Sequence, residues 1–363
     1  MKIVLIGDTL LNEKQIKIDD KVISECQDAD LVILNLEGPI TDAPPMKTSG
    51  SAISSSPDNI HYLKELNVSV AILGNNHIMD HGVQGLNDTK NILKENGIRF
   101  VGADDKQNQI CSPSILEYNN IVIFSYAHYE GPMYGEQGFG PVELPSLKTL
   151  NNKIKDYKEK GFKVIFNYHG GEEFFTIPWP RRRGFLTRLS NLGADIVFAH
   201  HSHSVQPLEI KNGKLIIYSP GNFYMDTPYQ RNNINTNKGF ITIIANDLIK
   251  KLEIVVDREK KEIKVFNSLQ LSLLTDVVIP ECEAKRKWIS ECKQIFNKPV
   301  RRSSLLSNFN FIVRIIRYIL FTKQLIKLKI KIRDLDILIS SLPIIGTIYT
   351  NRLYRKGYKK FKF

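Results

Sequence analysis

Four polar clusters each stand at the end of an apolar run of strand length. They are Asn35-Leu36-Glu37-Gly38 after 31–34, Gly74-Asn75-Asn76-His77 after 68–73, Tyr168-His169-Gly170-Gly171 after 164–166, and His200-His201-Ser202-His203 after 196–199. The runs are rich in β-branched and aliphatic residues, which favour strands, and residues 2–6 before Asp8 have the same character. In an open α/β sheet, ligands bind beyond the carboxyl ends of the strands, where residues remote in sequence converge. Five of the eight histidines, His77, His169, His200, His201 and His203, lie in these clusters. Histidines scattered through a core would not gather at one kind of position. The pattern predicts a layered α/β chain with one shared metal site.

Between the strands, residues 60–66, 85–96 and 147–160 have helical spacing. Segments 41–57 and 129–145, rich in Pro, Gly and Ser, read as loops that wall a pocket. Strands at 214–219, 239–245, 251–256 and 262–266 make the later part mainly β. Composition shifts near Leu274, so the expected division is a core over 1–275, a linker or helix over 276–300, and a tail over 301–363. A 42% hydrophobic content is enough to bury a substantial core, which excludes a disordered chain. Cys26, Cys111, Cys282 and Cys292 have no paired spacing and read as free thiols of a reducing compartment. The start of the chain lacks the long apolar stretch of a signal peptide, and a cytoplasmic protein is expected.

The net charge of +12 is concentrated at one end. Residues 301–363 hold fifteen Lys and Arg against Asp334 and Asp336, a local +13 that leaves the remainder at −1. The basic residues interrupt apolar stretches at 311–321 and 325–333, so no run approaches the roughly 20 apolar residues of a membrane-spanning helix. Two readings of the tail stand: an interfacial segment docked on the inner face of the membrane, or a helical appendage packing on protein. Anionic lipid attracts each basic residue by about 1 kcal/mol, which supports the first. The alternation at 327–333 also admits a strand. No nucleic-acid motif accompanies the charge, and no nucleic acid is expected as a partner.

Asn, His, Asp and Glu without thiolates form a nitrogen and oxygen donor set suited to Mn, Zn, Fe or Mg. Glu37 can bridge two ions, and His201 and His203 can reach neighbouring positions from a loop. Two ions about 4 Å apart clamp the oxygens of a phosphoryl group during in-line displacement, so phosphoester hydrolysis is the expected chemistry.

The series Gly7-Asp8, Asn35-Leu36-Glu37-Gly38-Pro39-Ile40-Thr41, Asn75-Asn76-His77-x-x-Asp80-x-Gly82, His169-Gly170-Gly171-Glu172, His200-His201-Ser202-His203-Ser204-Val205-Gln206-Pro207 and Tyr218-Ser219-Pro220-Gly221-Asn222-Phe223 resembles the capsule-synthesis CapA, or poly-γ-glutamate capsule, family, a branch of the calcineurin-like metallophosphoesterases. The likeness covers roughly residues 1–270 and not the tail. It implies a layered αββα fold with mixed sheets and two divalent ions. The implied ligands are Asp8, Glu37 as the bridge, Asn76, His169, His201 and His203. His77 then stands where the superfamily has a histidine that contacts the phosphoryl group or protonates the leaving oxygen, with Asp80 to orient it. Asn222, Arg181 and His200 are the candidates for contacting substrate, an anionic envelope or capsule precursor or polymer. The sequence departs from the common superfamily pattern in two places: Asp8 is followed by Thr9 and Leu10 with no histidine, so one ion is expected to bind weakly, and Glu37 replaces an Asp.

Plainer readings stand beside these. Asp8 after a strand is also a helix N-cap, Asn222 a turn former, and Arg181-Arg182-Arg183 a solvated face. Two functional classes follow: a dinuclear metal hydrolase, or a non-catalytic assembly or export factor that binds an acidic polymer. On the membrane reading, deleting 301–363 abolishes co-sedimentation with anionic vesicles and leaves hydrolysis in solution unchanged; equal vesicle binding by the truncated chain would remove that reading.

Overall fold

In a computed structural model the described residues are 1–46, 52–105, 114–128, 139–141, 145–233 and 235–296. The chain divides into two compact units, Met1–Lys285 and Arg286–Phe363. In the second unit, description ends with a helix at Phe296, so the expectations for 301–363 lie outside the described residues.

In chain order the first elements are β1 (Lys2–Thr9), β2 (Lys17–Ile18), α1 (Asp20–Gln27), β3 (Leu31–Leu36), α2 (Ile60–Glu65), β4 (Val70–Ile72), α3 (Gly82–Glu95) and β5 (Arg99–Val101). There follow β6 (Ala103–Asp105), β7 (Ile115–Tyr118), β8 (Ile121–Ala127), β9 (Phe139–Pro141), α4 (Leu147–Glu159), β10 (Lys163–His169), α5 (Pro180–Asn191) and β11 (Ile196–His200). The last are β12 (Leu208–Lys211), β13 (Lys214–Ile217), β14 (Asn222–Tyr224), α6 (Pro228–Arg231), β15 (Lys238–Ala245), β16 (Leu248–Asp257), β17 (Glu262–Ser272) and α7 (Glu281–Phe296).

Two mixed sheets result. The first runs β2-β17-β16-β15-β1-β3-β4-β5 with β14 beside β1, and the second runs β12-β13-β11-β10-β8-β7. Strands β1, β3, β4 and β5 are mutually parallel, as are β8, β10, β11 and β13, while β15, β16 and β17 form an antiparallel meander. Side chains alternate between the two faces of each strand, and here both faces are apolar. In β1, Ile3 and Leu5 face the second sheet, and Val4 and Ile6 face the helical side. In β8, Ile121 and Ile123 face the first sheet, while Val122, Phe124 and Tyr126 pack with Leu150 and Ile154 of α4 and Leu186 and Leu189 of α5. The order helix, sheet, sheet, helix is the layered αββα arrangement expected from the sequence.

The expected helices at 60–66, 85–96 and 147–160 are α2, α3 and α4, with α3 beginning three residues earlier, at Gly82. Helix α5 was not anticipated: its Arg181-Arg182-Arg183 run hides an apolar face of Leu186 and Leu189. Within the supposed loop at 129–145, residues 139–141 form β9 against β6, and most of the rest lies outside the described residues. The thiols of Cys26 and Cys282 are free, and burial pushes that of Cys26 up to about 12, with Glu25 adding to the shift. No helix among the described residues is long and apolar enough to cross a membrane.

Phe166 is completely buried in the outer core of the second sheet, stacked on Phe124 and Tyr126 at ring-centroid distances of 5.9 and 5.6 Å. Truncating such a ring leaves a cavity. Phe166→Ala should therefore lower unfolding free energy by about 3–5 kcal/mol, read as a reduced urea midpoint with an unchanged slope.

Candidate metal centre

With both strand faces largely apolar, the carboxyl ends of β1, β3, β10 and β11 carry a cluster of buried polar side chains. Asp8 lies inside β1, at a register shift against β3 between Ile6 and Asp8. Glycine is needed at position 7, because a Cβ there would sit 2.8 Å from Pro220 Cγ and push away β14, which pairs Asn222 with Asp8. The N-cap reading of Asp8 fails, since β1 continues to Thr9 and α1 is capped by Asp19. Asp8 Oδ1 accepts from Asn35 Nδ2 at 2.9 Å and lies 2.9 Å from His200 Nδ1. Its Oδ2 lies 3.3 Å from the His201 amide nitrogen and 3.5 Å from His203 Nδ1.

Glu37 follows β3 and is completely buried. Neither of its carboxylate oxygens has a hydrogen-bond partner among the described residues. Oε1 lies 3.5 Å from His203 Nε2 and 3.9 Å from His169 Nε2, which in turn lies 2.8 Å from Asn76 Oδ1. Two atoms that each bind one ion at about 2.1 Å can be no more than about 4.2 Å apart, and these separations meet that limit. Donor atoms of Glu37, His169 and His201 all lie within 4.8 Å of one another, and so do those of Asp8, Glu37 and His203. Glu37 belongs to both groups, so the residues present fit two ions sharing one carboxylate.

The loop after β11 aims its histidines by unusual backbone. His201 (φ 94°) and His203 (φ 55°) are both left-handed, a conformation that side-chain-bearing residues rarely adopt and that concentrates at functional sites. Ser202 ties this loop to the one after β10, its carbonyl accepting from Phe174 N at 2.7 Å and its hydroxyl donating to Phe175 O at 2.8 Å. Asn222 Oδ1 lies 3.0 Å from His203 Nδ1, which leaves Nε2 toward Glu37.

Electrostatics separate the groups. Burial works against ionising Asp8, but the His200 hydrogen bond, with the electrostatic influence of the neighbouring imidazoles, holds its carboxyl well below the usual range. Burial, then the carboxylates of Asp8, Glu173 and Asp80, hold Glu37 well above it. Burial also lowers His169 and His203, keeping both neutral with a lone pair for a metal. A buried carboxylate in contact with neutral imidazoles, and with no hydrogen-bond donor, is the environment a divalent cation satisfies.

Asp8, Glu37, Asn76, His169, His201 and His203 thus converge. At the rim, His77 Nδ1 lies 2.7 Å from Asp80 Oδ2, which also accepts from Ile53 N at 2.9 Å. The three substrate candidates are placed differently. His200 is completely buried behind Asp8. Asn222 is completely buried too, donating to Gln230 Oε1 and the Thr236 carbonyl behind His203. Arg181 stacks on Trp179 at 5.9 Å, whereas its neighbour Arg182 is buried and donates to Gln206 Oε1 and to the carbonyls of His200 and Tyr218. Arg183 pairs with Glu209, so the run is not a solvated face. Sequence reasoning passed over Glu173, whose carboxylate stands within 4.8 Å of donor atoms of His201 and His203. Its only signal was the acidic pair that follows Gly170-Gly171.

The profile of the family described as bacterial capsule synthesis protein PGA_cap matches residues 2–227, and the chain belongs to that family. It is 30% identical over 212 residues to the PGA biosynthesis protein CapA of Bacillus subtilis, covering 56% of this chain and 55% of that one. It is 27% identical to the capsule biosynthesis protein CapA of Bacillus anthracis, over 49% of this chain and 45% of the other. It is 28% identical to a probable polyglutamine synthesis accessory protein of Mycobacterium tuberculosis, over 54% and 56%. The chain spans about half the length of these relatives. Among solved structures it aligns with the calcineurin-like phosphoesterase YfkN of Bacillus subtilis at a TM-score of 0.39 and 12% identity, covering 81% of this chain and 97% of the other. A dimetal phosphatase of Danio rerio aligns at 0.38 and 7%, over 75% and 98%.

Gly171 shows how tightly the loop after β10 is held, for a Cβ there would lie 2.6 Å from Arg182 Nε, whereas Gly161, also at positive φ, has nothing within 4 Å. Gly161→Ala should cost only the left-handed backbone penalty, about 1–2 kcal/mol. Gly171→Ala should cost more and displace Arg182, giving the larger drop in melting temperature; equal drops would contradict this packing.

Proposed function

We propose that the protein is a metal-dependent phosphoesterase-like enzyme of capsule or cell-envelope polymer biosynthesis, hydrolysing a phosphoester or a related bond at a dinuclear centre. The observation that carries the reading is Glu37, a buried carboxylate without hydrogen-bond donors among the described residues, shared by two groups of potential ligands. In this reading Asp8, Glu37 and His203 would hold one divalent ion, and Glu37, Asn76, His169 and His201 would hold the other. When bound, such ions polarise a phosphoryl oxygen and supply a nucleophilic water.

The remaining work falls to the chain's own side chains. Asp80 engages His77 Nδ1 and fixes the ring, which leaves Nε2 as the nitrogen that gives a proton to the departing oxygen. The His77 side chain is 24% exposed, so substrate can reach it. Asn222 and His200 act from behind, fixing His203 and Asp8 in register. Membership of the capsule family, together with the relatives' names, supports an anionic capsule or envelope precursor or polymer as the partner. The basic segment 301–363 holds the protein at the inner membrane face in this proposal.

One observation favours a second reading, a non-catalytic assembly or export factor. Leu10, two residues beyond Asp8, is a buried aliphatic side chain and gives the first ion nothing.

Elemental analysis paired with hydrolysis of bis-p-nitrophenyl phosphate across added Mn, Zn, Fe and Mg separates the two. Two metals per chain and metal-dependent turnover are expected. His77→Ala should cut kcat by at least about 100-fold at unchanged metal content, whereas His169→Ala should reduce the metal content itself. One metal or none, without turnover, would replace the enzyme reading with the assembly reading.

A further inference from the structure

Glu172 and Glu173 are neighbours in sequence with different surroundings. Glu172 Oε1 accepts from Trp179 N at 2.9 Å and Gln206 Nε2 at 3.0 Å, with Arg182 Nη1 at 3.5 Å, so this carboxylate braces the scaffold. Glu173 faces the metal centre: its Oε1 lies 4.0 Å from His201 Nε2, and its Oε2 accepts from the Tyr229 hydroxyl at 2.8 Å. The 4.0 Å separation lies inside the limit of about 4.2 Å for two atoms sharing one ion.

The backbone is built to produce this reversal. Gly170 and Gly171 take φ of 149° and 119°, and Phe174 a left-handed 63°. The Phe174 amide is pinned to the Ser202 carbonyl. The Phe174 ring lies 6.1 Å from that of His203 and 5.3 Å from that of Tyr229, whose hydroxyl donates to Glu173. The Glu173 side chain is 33% exposed, whereas that of His201 is 2%.

We propose that Glu173 is a further ligand of the metal centre, joining His201 on its divalent cation through Oε1 while Tyr229 holds Oε2. This rests on the metal-centre reading above and goes beyond it, adding a seventh protein ligand and a residue that positions it. A carboxylate oxygen suits the same hard or borderline cations as the rest of the donor set. Tyr229 is the positioning residue: its hydroxyl occupies one carboxylate oxygen and so fixes which one faces the ion.

The test measures Mn2+ and Zn2+ binding by the full-length chain, as stoichiometry from elemental analysis after gel filtration and as Kd from chelator competition. Glu173→Gln preserves size and removes the charge. Glu173→Asp withdraws the oxygen, and Tyr229→Phe removes only the hydroxyl. Melting curves establish that each variant is folded before binding is compared. The expected result is that Glu173→Gln and Glu173→Asp lose one metal per chain or weaken its binding at least about 10-fold. Tyr229→Phe should show a smaller loss. Unchanged stoichiometry and affinity in either folded Glu173 variant, beside a wild type that binds two ions, would overturn this inference alone. A wild type that binds no metal would overturn it together with the proposed function.

Discussion

The carboxylate of Glu37 is the group around which this molecule is arranged. It is buried, with no hydrogen-bond donor on either oxygen among the described residues, the kind of site that costs several kcal/mol when uncompensated. It stands there because residues 31–34 of β3 are apolar on both faces, so the strand's polar side chains, Asn35 and then Glu37, come at its carboxyl end. The same condition holds for β1, β10 and β11, whose ends meet from two sheets. Packing therefore decides where chemistry can be located, and the candidate metal centre occupies the seam where both sheets run out of apolar surface.

Many polar residues in the sequence motifs hold others in place instead of facing the centre. Asn35 and His200 engage Asp8, Asn222 engages His203, Asn75 ties the turns after β3 and β4, and Arg182 fastens the carbonyls of His200 and Tyr218. Such supporting contacts orient ligands and set which nitrogen or oxygen is presented. Left-handed backbone at His201 and His203 is sustained by the same supports, because a strained conformation persists only where its surroundings over-determine it.

Much of this was legible in the sequence, for a definite reason. Apolar runs ending in Asn, Asp, Glu or His combine a strand signal with a break in it, and the break marks the site. The layered architecture and the convergence of Asp8, Glu37, Asn76, His169, His201 and His203 followed from that pattern and from the family resemblance. Direction was not legible. Nothing in the residue types says that His200 and Asn222 face inward behind Asp8 and His203, or that of three consecutive arginines the middle one is buried. Helix α5 escaped because its charged first turn masks a short apolar face, and Glu173 because a Gly-Gly turn carries no periodicity from which to read orientation.

The contrast between Glu172 and Glu173 has an evolutionary consequence. Two identical side chains, one bracing Gln206 and Trp179 and the other facing His201, are distinguished only by their count from His169. Moving the loop by one residue would exchange the two roles without altering composition at all. Substitutions in this turn can be graded in effect, but a single insertion or deletion changes both functions at once. Its length should therefore drift far more slowly than the identity of the residues within it.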